Sequence, residues 1–152
     1  MDIVDVVMPF EPHPQAEKRK RSAVALIKVL LANNKPEVLP AHIKELLSIL
    51  LRKITEAEAS KHKTRYQSQG AIGCSNEDKL RHDHVYQRSR MIDALLKAKP
   101  EDVDGILKDD IACTVTIDEH RRLAAFDHEY GWDRYRKAGL VVIDTKNGEP
   151  VI

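Results

Sequence analysis

Two short segments concentrate side chains that bind metal ions or move protons. The first is Arg81-His82-Asp83-His84-Val85, three adjacent titratable groups behind an arginine. The second is Thr116-Ile117-Asp118-Glu119-His120-Arg121-Arg122-Leu123. Hydrolysis of a phosphodiester needs a base to activate the nucleophile and an electrophile to steady the developing charge. Neutral imidazole takes a proton near physiological pH. A divalent ion held by a carboxylate and an imidazole polarises the phosphoryl oxygen, and an arginine clamps phosphate through paired donors. Asp83, His84, Arg88, His120 and Arg121 supply these types.

The elements that must position them can be read along the chain. Met1 to Pro14 carries Pro9, Pro12 and Pro14 and reads as an extended arm, with a strand candidate in DIVDVVM. Gln15 to Asn33 reads as a helix with a basic start and Val24, Ile27, Leu30 and Leu31 at helical spacing, closed by Asn33-Asn34. Pro40 suits the first turn of a second helix. Its stripe, Ile43, Leu46, Leu47, Leu50, Leu51 and Ile54, is expected to pack against the first helix as an antiparallel hairpin, and the helix is read as running on through EAEASKHKTRYQ. Gln69 to Asn76 reads as a loop and as the seam of the chain. A helix is expected from about Tyr86, which makes His82 and His84 a helix-start cluster. A short helix follows Pro100, and Ile111 to Thr116 is a strand. Thr116 and Glu119 form a T-x-x-E capping box, so a helix starts at Ile117 and places His120 in its first turn. WDRYRKAG is a further helical turn, LVVID a strand, and Asn147-Gly148 a hairpin turn.

The expected fold is therefore α+β, mostly α: an arm (1–14), an N-terminal helical hairpin (15–68) and a mixed half (69–152) with a small C-terminal β-hairpin or sheet of two or three strands, all within one domain. The 152 residues, 42% apolar and 32% charged, suit one globular domain that buries a core without staples. A net charge of +1 gives no global field toward nucleic acid or anionic lipid, so such binding must be local. No apolar run approaches the roughly 20 residues of a membrane span, the first ten residues lack the basic start of a secretory signal, and two cysteines suit a reduced, cytoplasmic protein. Neither a phosphate-cradling glycine loop nor a G-x-S-x-G elbow is present.

The pair HDHVYQR and TVTIDEHRRL resembles the two halves of the HNH, or His-Me finger, nuclease motif over about residues 81–123. Gln87 stands where that family commonly has proline, and its central asparagine has no counterpart here. The resemblance implies a divergent metal-dependent nuclease acting on DNA or RNA, with Asp83 and His120 as ligands of a divalent ion (Mg or Zn), His84 as general base and Arg88 beside it. Lys18, Arg19, Lys20 and Arg21, together with Arg121 and Arg122, are the residues expected to meet phosphates.

Other readings remain beside it. Cys74, His82 or His84, Cys113 and His120 are four residues of zinc-ligand type, and either cysteine with a histidine is a nucleophile pair. The EKRKR run also reads as a solvated helix face. In YGWDRYRK, Tyr130, Trp132, Tyr135 and the arginines read as a partner surface or as closure of the core. A long leucine stripe that outruns its partner helix suggests a homodimer. The alternative function is a non-enzymatic helical binding protein, such as a phage- or plasmid-type accessory factor or inhibitor, acting through protein or nucleic-acid contacts.

Overall fold

The computed structural model describes residues 10–33, 35–59 and 62–152; the strand expected in DIVDVVM lies outside them. The N-terminal hairpin forms as its apolar spacing dictates. Helix α1 (Ala16–Leu31) packs along α2 (Pro40–Glu56), whose first residue is the proline that needs no amide partner there. Ile27, Leu47 and Leu51 are fully buried. The stripe is only partly covered, however: Leu46 remains exposed, as do Leu26, Val29, Leu39 and Ile49. Helix α4 (Arg88–Lys97) and the short α5 (Val103–Leu107) complete this layer with Met91, Leu95 and Leu107.

The remaining elements build a sheet larger than expected. Five strands lie in the order β2-β3-β1-β4-β5, with β1 Tyr66–Ser68, β2 Leu80–His84, β3 Ala112–Thr116, β4 Val142–Asp144 and β5 Glu149–Pro150. Only β1–β3 is a parallel pair. Helix α2 thus stops at Glu56, and the segment read as its continuation supplies the central strand β1 instead. Three residues carry no readable period. What holds β1 is its ladder on both sides, with Tyr66 opposite both Cys113 and Asp144. The Arg65 guanidinium also pairs with Asp144 through two hydrogen bonds of 2.7 and 2.8 Å. The segment 69–76 is a loop broken by one helical turn, α3 (Gln69–Ile72), which Ser68 caps through the Ala71 amide.

The chemically rich segment is also a strand. Arg81 to His84 pair antiparallel with β3, Asp83 opposite Cys113 and His84 opposite Ala112, and the following helix waits until Arg88. Strand β3 runs directly into α6 (Ile117–Ala124), so β2, β3 and α6 form a β-β-α unit with α4 and α5 inserted between its strands. The capping box is present as read: Glu119 N donates to Thr116 Oγ1 at 3.2 Å, and Thr116 N to Glu119 Oε1 at 2.8 Å. The buried Glu119 carboxylate also accepts from Ser68 Oγ at 2.5 Å. Thr116→Ala removes the cap oxygen and is expected to cost about 1 kcal/mol, read as a lower midpoint in urea denaturation.

Helix α7 (Trp132–Lys137) follows Gly131, whose φ of +66° and contact with the Tyr86 ring leave no room for a Cβ. Leu123 of α6 and Tyr135 of α7 form a second core with Cys113, Val115 and Val142 of the sheet. Trp132 stacks edge-on against Tyr66 and Tyr135, so the aromatic cluster closes the core. Helices α6 and α7 cover one face of the sheet, and the α1–α2 layer lies over the other. No helix among the described residues is long and apolar enough to cross a membrane.

Candidate functional site

Side chains alternate across a strand, so the consecutive residues of β2 address opposite layers. His82 and His84 face the helical layer. His82 Nε2 lies 2.9 Å from Thr55 Oγ1 of α2, and His84 Nδ1 lies 3.3 Å from Asp110 Oδ1. Asp83 faces α6 and α7. This alternation separates residues that the sequence reading had joined. Asp83 and His120 meet, whereas His84, the expected base, lies on the other side of the sheet. Arg88 follows His84, donating to Ser48 O at 3.3 Å on α2.

Asp83 is the centre of the α6–α7 face. Its Oδ2 accepts from the Arg134 guanidinium at 2.6 Å and from the Tyr135 hydroxyl, and its Oδ1 lies 3.6 Å from His120 Nδ1. Arg134 is itself buried and donates to the carbonyls of His84 (2.8 Å) and Val85 (3.3 Å). Burial works against ionisation of Asp83. His120, Arg134 and Tyr135 outweigh it and hold the carboxyl below its ordinary range. Burial drives the Tyr135 hydroxyl the other way, well up, so it stays a donor. The result is a fixed, ionised carboxylate turned toward one ring nitrogen of His120, whose side chain is 48% exposed.

The other expected ligands disperse. Cys113 is fully buried, and burial raises its thiol well above the ordinary value, the opposite of what a nucleophile or zinc ligand needs. Cys74 sits in the loop after α3, its Sγ donating to Asn76 O at 3.4 Å. Both cysteines are free thiols. A zinc set drawn from Cys74, Cys113, His120 and either His82 or His84 would have to span both sheet faces. Among the described residues no three His, Cys, Asp or Glu side chains converge as a metal-holding group. Asp83 and His120 alone, with one carboxylate oxygen already committed to a guanidinium, offer two side-chain ligands, fewer than a structural zinc takes.

The basic residues divide in the same way. Arg121 and Arg122 are exposed on α6 next to His120, Arg121 lying 3.4 Å from Asp118. Lys18, Arg19 and Arg21 are exposed on α1 in the opposite layer, where Lys20 pairs with Glu58. Arg134 and Tyr135 read in the sequence only as a partner surface or as closure of the core, and Asp110 does not stand out there at all. Nothing local marks Asp110. The WDRYRK segment held the signal for the other two, an arginine beside a core aromatic. No family model, curated protein or solved structure matches the chain.

Proposed function

We propose that the protein cleaves phosphodiester bonds in RNA, with Asp83 and His120 as an acid–base dyad. The observation that carries this reading is the buried, ionised Asp83 carboxylate facing Nδ1 of a half-exposed histidine. In such a pair the carboxylate fixes the imidazole with its proton on Nδ1 and leaves Nε2 as the proton acceptor. Arg134 and Tyr135 position the carboxylate and do not touch substrate. Arg121 and Arg122 lie where they can hold backbone phosphates beside His120.

A single dyad suits a substrate that brings its own nucleophile. RNA does so through the 2′-hydroxyl. His120 Nε2 takes the 2′-hydroxyl proton, the 2′-oxygen bonds to phosphorus, and the bond to the 5′-oxygen breaks. The departing oxygen takes a proton from water, the hydroxide so formed takes the proton back from His120, and a 2′,3′-cyclic phosphate is left. The β-β-α arrangement of β2, β3 and α6 supports a relation to the HNH class in layout, with the chemistry moved from His84 to His120.

The test is a cleavage assay on a defined RNA, on the same strand with 2′-deoxy linkages, and with chelator present. Cleavage of RNA alone, unaffected by chelator and ending in cyclic phosphate, is the expected result. Chelator-sensitive cleavage of both strands would return Asp83 and His120 to the role of metal ligands. No cleavage of any strand would end the nuclease reading. The second reading, a helical protein that acts by association, draws on the exposed apolar residues Leu26, Val29, Leu46 and Ile49. A second copy of the chain is the occupant it requires, and a mass that stays monomeric across concentration in sedimentation would reject it.

A further inference from the structure

The dyad leaves out one cation of its own strand, Arg81. Residues two apart on a strand share a face and lie roughly 6–7 Å from each other. Arg81 therefore stands with Asp83 on the α6 side of β2, while His82 and His84 turn to the helical layer. The register places it along α6 as well. Leu80 lies opposite Thr116 and Arg81 opposite Val115, the last two residues before α6 begins. Arg81 is thus beside the first turn of that helix, the turn that carries His120 over Asp83. Because β2 is an outer strand of the sheet, this corner opens to solvent, and Arg81 is exposed in it.

The Arg81 guanidinium is steadied without being neutralised. Its Nη1 donates to the Leu80 carbonyl at 2.7 Å and to the Asp78 carbonyl at 3.1 Å. These acceptors carry no net charge, and among the described residues no carboxylate forms an ion pair with Arg81, whose Nε and Nη2 make no hydrogen bond there. The other cations of this face are placed differently. Arg134 is buried against Asp83 and lies 3.6 Å from Asp127. Arg121 and Arg122 turn about 100° and 200° around the α6 axis from His120, which suits phosphates further along a strand, and Arg121 has Asp118 at 3.4 Å.

We infer that Arg81 holds the phosphate that reacts, its Nε and Nη2 groups donating to the two non-bridging oxygens while His120 Nε2 takes the 2′-hydroxyl proton. The inference rests on the reading of Asp83 and His120 as an RNA-cleaving dyad. A neutral imidazole beside a carboxylate brings no positive charge to the phosphate. Negative charge builds on the non-bridging oxygens as the 2′-oxygen bonds to phosphorus and before the 5′-oxygen leaves. A planar guanidinium with two parallel donors matches those oxygens. Fixed in place beforehand, it stabilises the transition state more than the bound strand.

The deciding experiment compares the full chain with Arg81→Ala and Arg81→Lys, exposed-site variants that should fold as wild type. On a defined RNA, Arg81→Ala should lower kcat about 10²–10³-fold with a smaller rise in KM. Arg81→Lys keeps the charge without the paired donors and should recover part of the rate. A second measurement needs no cleavage: fluorescence anisotropy with the same strand in 2′-deoxy form at several salt concentrations. Arg81→Ala should flatten the slope of log affinity against log salt by about 0.7, the share of one phosphate contact on a single strand. Binding of that strand to wild type should also shift the His120 ring proton in NMR, and Arg81→Ala should lose most of the shift. A wild-type cleavage rate in Arg81→Ala would overturn the assignment while leaving the nuclease reading intact. If the RNA is not cleaved at all, the nuclease reading falls and the 2′-deoxy strand decides for Arg81. An unchanged salt slope or an unchanged His120 shift then overturns it, and loss of both keeps Arg81 as a phosphate contact beside His120.

Discussion

Arg134→Met should destabilise the protein by about 3–5 kcal/mol, the largest single effect we expect. Arg134 is 4% exposed and its guanidinium sits 2.6 Å from Asp83 Oδ2, so its removal strands a carboxylate inside the α6–α7 core. It also leaves the His84 and Val85 carbonyls without their donor. Loss on this scale comes from the unpaired charge and not from any large net worth of the intact pair. The double variant Asp83→Leu/Arg134→Met should therefore regain most of the loss, and urea denaturation of both single variants and the double closes the cycle. A single variant less than about 1 kcal/mol below wild type would mean that the pair does not organise this core.

The same group sets an acid limit. Because Asp83 is held below its ordinary value in the fold, its stabilising contribution is complete above the unfolded carboxyl value of about 3.9 and is lost as pH falls through the folded one. Asp144, lowered by the two hydrogen bonds from Arg65, adds to the loss in the same window. Thermal midpoints should fall steeply below about pH 4, and Asp83→Asn should remove part of that slope.

His120→Ala should lower the rate of RNA cleavage by about 10²–10⁴-fold, the usual share of a positioned base. Stability should fall by less than for Arg134→Met, about 1–2 kcal/mol, because the side chain is half exposed and outside both cores, although its ring faces the Asp83 carboxylate. This contrast separates it from Arg134, whose loss acts through folding. His84→Ala is the informative companion. It lies on the opposite sheet face, so cleavage by the folded fraction should persist. A loss of rate with His84→Ala that matched His120→Ala would place the base where the motif resemblance put it.

Several of these parts were legible in the chain itself. The period of Ile43, Leu47, Leu50 and Ile54 specifies a helix with one apolar face whatever it packs on, and Pro40 fixes where that helix begins. The Thr116–Glu119 box closes through bonds only three residues apart, so it can be read without any partner, and it carried His120 to the correct turn. Gly139 and Gly148, both at positive φ, mark their turns for the same local reason. What failed was non-local. Strand β1 is three residues long and exists because β3 and β4 flank it, and β2 reads as a polar stretch because its partners lie more than 25 positions further on.

The site follows the same division. Sequence named Asp83, His84 and His120 by chemical type, and type survives any fold. Which of them meet was decided by strand alternation, a fact with no meaning until β2 is known to be a strand. That alternation sends Asp83 toward His120 and Arg134 and turns His84 toward Asp110. Arg134 and Asp110, distant in the chain from the residues they serve, acquire their roles only because burial places a charge beside each of them with no water to take their place.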